Sequence, residues 1–182
     1  MSDTPVYVRF MQQDDIEEVL ECEAKSHEYT DPDFKVPQLP GYAWSRDDIL
    51  AAVKNGDNRA LVAEILLPSV YESGEVSWVC GAMIFEIQQD GYEILLLTEH
   101  PDAPENIREA LLDKLLSRAQ KNEQRKRLSM VVPDGDYNTL GFLQKQGWTI
   151  KLVTNYWSND EWHCEYRLPA ADTPGPFSFS LT

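Results

Sequence analysis

Cysteine is scarce: Cys22, Cys80 and Cys164 are an odd number, widely spaced, with no Cys-x-x-Cys pair. Such a set indicates neither a disulfide framework nor a zinc site. Histidine is as rare, and His27, His100 and His163 lack metal-ligand spacing, so no metal is expected. Basic residues are few, with 16 Lys and Arg against 31 Asp and Glu, for a formal net charge of −15. A chain this acidic is poorly suited to nucleic acid or to an anionic membrane and would suit a cationic partner. The same charge also serves solubility alone. No apolar run approaches the roughly 20 residues of a membrane span. The opening Met-Ser-Asp-Thr-Pro is not a signal peptide, and a cytoplasmic location is the expectation. No Ser or Cys stands in a nucleophile-elbow context.

What is present is ordinary for one globular domain: 182 residues, 42% hydrophobic and 26% charged. The chain is organised around Tyr92 to Ala119. Ile94 to Leu97 are four consecutive apolar residues, which predicts a strand covered on both faces. A short loop, Glu99-His100-Pro101-Asp102, leads to a helix with Ile107, Leu111, Leu115 and Ala119 along one stripe. In α/β proteins such a strand–loop–helix junction is where anions bind, because the N–H groups of the helix's first turn lack partners.

Taken in order, Val6 to Phe10 alternates as a strand, and Asp14 and Asp15 open a helix running to about His27. Pro32, Pro37, Pro40 and Gly41 make residues 29 to 43 an irregular connection. Ser45-Arg-Asp-Asp48 has capping-box form and starts a short helix, Ile49 to Val53. Strands follow at Ala60 to Leu66, Val76 to Ile87 and Tyr92 to Thr98, the last two joined by the hairpin signal Gln88-Gln-Asp-Gly91. After the central helix come a strand, Arg127 to Val132, and a helix, Tyr137 to Gln146, stopped by Gly147. A closing strand pair is expected at Trp148 to Tyr156 and Glu161 to Leu168. Residues 1–168 thus read as one α/β (α+β) domain, and 169–182, rich in Pro, Ser and Thr, as a flexible tail.

Several stretches resemble the GNAT superfamily of N-acetyltransferases, with the ribosomal-protein-alanine enzymes nearest in pattern. They are Val8-Arg9-Phe10 with Asp14-Asp15-Ile16, Trp44-Ser45-x-x-Asp48, Cys80-Gly81-Ala-Met-Ile84 and His100-Pro101-Asp102. Gly141-Phe142-Leu143 with Gly147-Trp148, and Asn155-Tyr156-Trp157 with Asp160, complete the set. The resemblance implies a central, mixed, mostly antiparallel sheet flanked by about four helices, with acetyl-CoA as co-substrate. It implies a peptide or protein amine as acceptor, a basic one given the charge. Leu96, Leu97 and Thr98 would hold the pantetheine and thioester, and Asn106, Ile107, Arg108 and Asp136 would line the rest of the cofactor site.

The departures lie at the chemistry. The family's Arg/Gln-x-x-Gly-x-Gly/Ala is replaced by residues 101 to 110, Pro-Asp-Ala-Pro-Glu-Asn-Ile-Arg-Glu-Ala, with no glycine to let a diphosphate approach the backbone. Asp102, Glu105 and Glu109 bring negative charge there, although they also suit a helix N-terminus. At about 4 Å and an effective dielectric near 20, each like-charge contact would cost about 4 kcal/mol before screening, and Arg108 can offset one. The family's catalytic Glu and Tyr positions fall on Val131 and Leu143. Remaining candidates are Glu93 and Glu99 as bases and Tyr156 or Tyr137 as acid. Two readings stay open: an N-acetyltransferase, or a catalytically degenerate GNAT-fold protein that works as a binding or regulatory module.

Overall fold

The computed structural model describes residues 4–28, 44–56, 58–69, 74–122, 124–154 and 160–169. Its elements are β1 (Tyr7–Phe10), α1 (Ile16–Glu28), α2 (Arg46–Lys54), β2 (Ala60–Pro68), β3 (Glu75–Ile87) and β4 (Gly91–Glu99). They continue with α3 (Ile107–Gln120), β5 (Arg127–Pro133), α4 (Tyr137–Lys145), β6 (Thr149–Val153) and β7 (Glu161–Arg167). The expected elements are all present, with ends moved by one to three residues, and the expected irregular connection, 29–43, lies outside the described residues. A 3-10 turn at Gln13–Asp15 leads into α1. The expected strand reaching Tyr156 is described only as far as Val153, and 155–159 and 170–182 lie outside the described residues. Among the described residues no helix is long and apolar enough to cross a membrane.

Local chemistry accounts for the boundaries. Ser45 and Asp48 form the capping box that starts α2, each side chain taking the other's backbone N–H. Asp136 accepts the Thr139 N–H at the start of α4. Gly147, at φ +82°, ends α4, with N–H bonds from Gly147 to Gln144 and from Trp148 to Leu143. That is a Schellman stop, which requires the left-handed conformation glycine adopts without strain.

Seven strands form one sheet in the order β1-β2-β3-β4-β5-β7-β6. Every neighbouring pair is antiparallel except β4 and β5. One face packs against α3 and α4 through Met83, Phe85, Tyr92, Leu97, Leu111, Leu115, Leu140 and Leu143. The other packs against α1 and α2 through Ile16, Val19, Ile49, Val62, Ala82 and Leu96.

The expectation of an unbroken buried run from Ile94 to Leu97 is corrected at its second residue. Leu95 is 37% exposed. Ile84 of β3 lies opposite Leu96 and Phe85 opposite Ile94, so Leu95 is the extra residue of a β-bulge. The insertion shifts the alternation by one. Tyr92 and Ile94 share the α3 face with Leu97, while Leu96 packs on the α1 face. Beyond the bulge β4 also leaves β5, since the parallel pairing covers only Gly91–Ile94 against Arg127–Met130. The two strands splay, and among the described residues Leu95 to Glu99 have no neighbouring strand on the β5 side.

Candidate active site

The splay positions a cavity of about 170 Å³. Leu96, Leu97, Thr98 and Glu99 of β4 line it, with Arg108 of α3, Asp136, Asn138 and Thr139 at the start of α4, and Glu23 and Ser26 of α1. Alternation on β4 sends Leu96 to the α1 face and Leu97 to the α3 face, so the cavity is reached from both layers of helix.

Glu99 is held at the α3 end. Its Oε1 lies 2.8 Å from an Arg108 guanidinium nitrogen, and the Arg108 backbone N–H also donates to the carboxylate. Burial raises its pKa, and the contacts to Arg108 pull it part of the way back. Arg108 in turn lies 4.7 Å over the Phe142 ring of α4. Two polar atoms beside the cavity, Thr98 Oγ1 and Glu99 Oε2, are buried without a hydrogen-bond partner. Buried polar atoms are nearly always paired, and a site awaiting a polar ligand is one reason for an exception.

Glu23 enters from the opposite side. It is 7% exposed, and it accepts the Trp44 N–H at 3.2 Å. Burial pushes its carboxyl up to about 7, against the smaller opposing effect of that hydrogen bond. A carboxyl that changes charge near neutrality inside a cavity is a functional signal.

Of the residues singled out in the sequence, Leu96, Leu97, Thr98, Glu99, Arg108 and Asp136 meet at this cavity. The others do not. Ile107 is fully buried in the core, against the position where a Cβ on Gly81 would stand 2.3 Å from its Cγ2. Asn106 is exposed at the cap of α3, with no capping bond from its side chain. Glu93 lies before the bulge, beside Glu86 and Ser129, and accepts from the Gln88 side chain at 3.0 Å. Tyr137 is 65% exposed, and Tyr156 lies outside the described residues. Val131 faces His163 of β7, and Leu143 is wholly buried. His100 packs edge-on against Trp78 and accepts the Asp102 N–H, a structural role at the junction. Burial pushes the Cys22 and Cys80 thiols up to about 12, so they stay protonated at neutral pH.

Sequence reasoning missed Glu23, Ser26, Asn138 and Thr139. For Glu23 a signal existed. It continues the apolar stripe of Ile16, Val19 and Leu20, so a carboxylate occupies a core-facing position of α1.

No protein-family model and no curated protein sequence matches the chain. Solved structures do. The PaiA N-acetyltransferase of Thermoplasma acidophilum, in complex with coenzyme A, superposes with a TM-score of 0.69 at 15% identity. That match covers 90% of this chain and 99% of that one. A GNAT-family acetyltransferase from Bacillus anthracis matches at 0.61 and 13% identity over 91% and 96% of the two chains. Arabidopsis thaliana Naa50, in complex with the bisubstrate analogue CoA-Ac-MVNAL, matches at 0.59 and 14% over 90% and 99%. The chain has the GNAT fold.

Set on the GNAT fold, the cavity lies at the sheet's one parallel junction, where the strand ahead of the central helix diverges from its neighbour. Ligands of α/β sheets collect at such carboxyl ends of strands. The acidic start of α3 is already occupied internally. Glu99 takes the Arg108 N–H and guanidinium, and Glu109 accepts from the side chain of Gln146, just past the end of α4.

Proposed function

We propose that this chain is an N-acyltransferase that moves an acetyl group from acetyl-CoA to an amine of a peptide or protein. The observation that carries the reading is the cavity at the β4–β5 splay, open to both helical layers. Coenzyme A in the PaiA complex and the peptide–CoA analogue in the Naa50 complex support it by likeness of fold.

The residues fit the thioester arm better than the diphosphate. The unpaired edge of Leu95 to Glu99 offers backbone donors and acceptors to an extended chain, as β-strand addition does. Leu96 and Leu97 supply apolar walls. Acetyl-CoA would supply an acyl carbon activated by its thiol leaving group. The protein would exclude water and hold the amine in line with the carbon. The diphosphate would meet α3 without glycine, beside Asp102, Glu105 and Glu109, and with Arg108 committed to Glu99. Asn106 and Asp136 remain the proposed neighbours at that end, whereas Ile107 is wholly buried in the core and its N–H is bonded to the Pro104 carbonyl.

That occupied helix start favours a second reading, a GNAT-fold binding module without acyl transfer. Calorimetric titration with acetyl-CoA at low and at moderate salt separates the two. Micromolar binding is the expected result. No heat and no thermal shift would overturn the transferase reading and direct the search to a protein partner.

A further inference from the structure

A second cavity, of about 320 Å³, lies on the α3 side of the sheet and shares no lining residue with the candidate active site. Its floor is apolar. Phe10, Leu61 and Phe85 come from β1, β2 and β3, and Leu115 comes from α3. Register explains the grouping. Phe10 is opposite Leu61, and Leu61 is opposite Met83, two residues before Phe85, so one face of the sheet carries them all. The rim is basic. Lys114, Arg118 and Lys121 are spaced by four and three residues, which sets them along one stripe of α3. Among the described residues no carboxylate lines this cavity, in a chain with 31 acidic residues to 16 basic ones.

The three cations differ in what holds them. Arg118 is part of the wall. It donates to the Asn58 carbonyl at 2.9 Å and lies over the Phe85 and Tyr92 rings, 5.5 and 5.8 Å from their centroids. Lys114 and Lys121 are exposed, and among the described residues neither ammonium group has a hydrogen bond or an ion pair. The helix dipole accounts for Lys121, at the C-terminal end of α3. It does not account for Lys114, which precedes the last turn. Lys114 also stands one turn from Arg118, a like-charge spacing that destabilises a helix and that a bound anion would reverse.

We propose that this cavity binds a small organic monoanion with an apolar body, an aryl or medium-chain carboxylate. Lys114 and Lys121 hold its head group, and its body lies on Phe10, Leu61, Phe85 and Leu115. The two lysines are about 10 Å apart along the helix, a span their long side chains can close. The ligand class follows from charge and shape together. Small-molecule sites start at roughly 300 Å³, and this cavity reaches that size. A polyanion would meet the surface of a chain with net charge −15. A monoanion meets only the local field, because charges beyond about 8 Å are screened at physiological salt. A neutral ligand would gain nothing from the two ammonium groups. The site does not depend on the acyltransferase reading, since Arg108 and Arg118 are about 15 Å apart along α3.

The test is an NMR titration of the full chain with 2-naphthoate and with its neutral counterpart 2-naphthylmethanol. Wild type is compared with the double variant carrying Lys114→Gln and Lys121→Gln. Both lysines are exposed, so the variant should melt with wild type. In wild type 2-naphthoate is expected to bind with a Kd of about 0.1 mM, shifting the amides of Leu61, Phe85 and residues 114–121. The neutral probe should bind about tenfold more weakly, and the double variant should lose about tenfold for 2-naphthoate alone. Titration with acetyl-CoA should be the same in both proteins. Equal affinity for the two probes, or full affinity for 2-naphthoate in the double variant, would overturn the proposal. So would shifts confined to residues 96–99, or no shift at millimolar 2-naphthoate. Tighter binding of an oligoglutamate peptide than of 2-naphthoate would also overturn it and make the rim a docking site for an acidic protein.

Discussion

At Gly91 a single methyl group decides whether β4 can lie beside β5. A Cβ built there would stand 1.9 Å from the Arg127 carbonyl oxygen, a backbone atom that cannot move aside alone. Gly91→Ala should therefore destabilise the fold by roughly 3 kcal/mol, read as a lower urea midpoint. Glu23 makes the opposite kind of prediction. Its folded pKa of about 7 exceeds the ordinary value of 4.5. Between those values the folded state holds more protons than the unfolded one, so stability falls as pH rises through that window. The loss is on the order of 3 kcal/mol. Urea melts of wild type at pH 4.5 and pH 8 should differ by that amount, while E23Q should show little of the difference. These two residues differed in legibility. Gly91 reads from sequence as part of a hairpin turn, and its stricter duty, close approach to β5, arises from a strand 36 positions later.

At the scale of elements, α1 is tied to the sheet by charge as well as by packing. Arg9 of β1 donates to both Asp15 oxygens, at 2.7 and 2.9 Å, and to Glu64 of β2 at 2.9 Å. Burial alone would raise the Asp15 pKa, but the hydrogen bonds from Arg9 and the Gln12 N–H bring it below its ordinary 3.8. Arg9→Ala should cost about 2 kcal/mol at neutral pH, because it leaves Asp15 buried without its partner, discounted for the partly exposed Arg9. The deficit against wild type should narrow as pH falls below the ordinary Asp value, where the carboxyl protonates and needs no cation. Thermal melts over that range test the sign. Ser45→Ala removes half of the α2 capping box and should cost about 1 kcal/mol, with no change in acetyl-CoA titration. The strands, helices and caps were legible because each depends on near neighbours in sequence: period-two or helical alternation, a Ser-x-x-Asp cap, a Gly stop. The bulge at Leu95 was not. Four apolar residues in a row are consistent with a flat buried strand, and only the register against Ile84 and Phe85 shows that one of them is extra.

For the whole molecule, a net charge of −15 on 182 residues means self-repulsion in the compact state. Raising salt from about 0.02 to 0.5 M shortens the Debye length several-fold and should stabilise the fold by about 1 kcal/mol, or ~3 °C in Tm. The same salt should weaken binding of a basic peptide, because screening removes the attraction that draws a cation toward the protein. A peptide affinity insensitive to salt would count against charge as the source of acceptor selection.

By itself the sequence determined the element order, the caps and stops, the two apolar helix faces and the location of the strand–helix junction. These follow from interactions between residues close along the chain, together with burial of one face of each element. Six of the residues nominated through the resemblance, Leu96 to Glu99, Arg108 and Asp136, do line the cavity. Only the tertiary structure decided where that cavity opens and what else enters it. The bulge, the end of β4–β5 pairing after Ile94, and the meeting of Glu23 and Glu99 at one cavity each depend on segments far apart in sequence. Glu23 changed from one of 31 acidic residues into a carboxyl that titrates near neutrality because folding removed it from water, and desolvation is a property of the packed molecule.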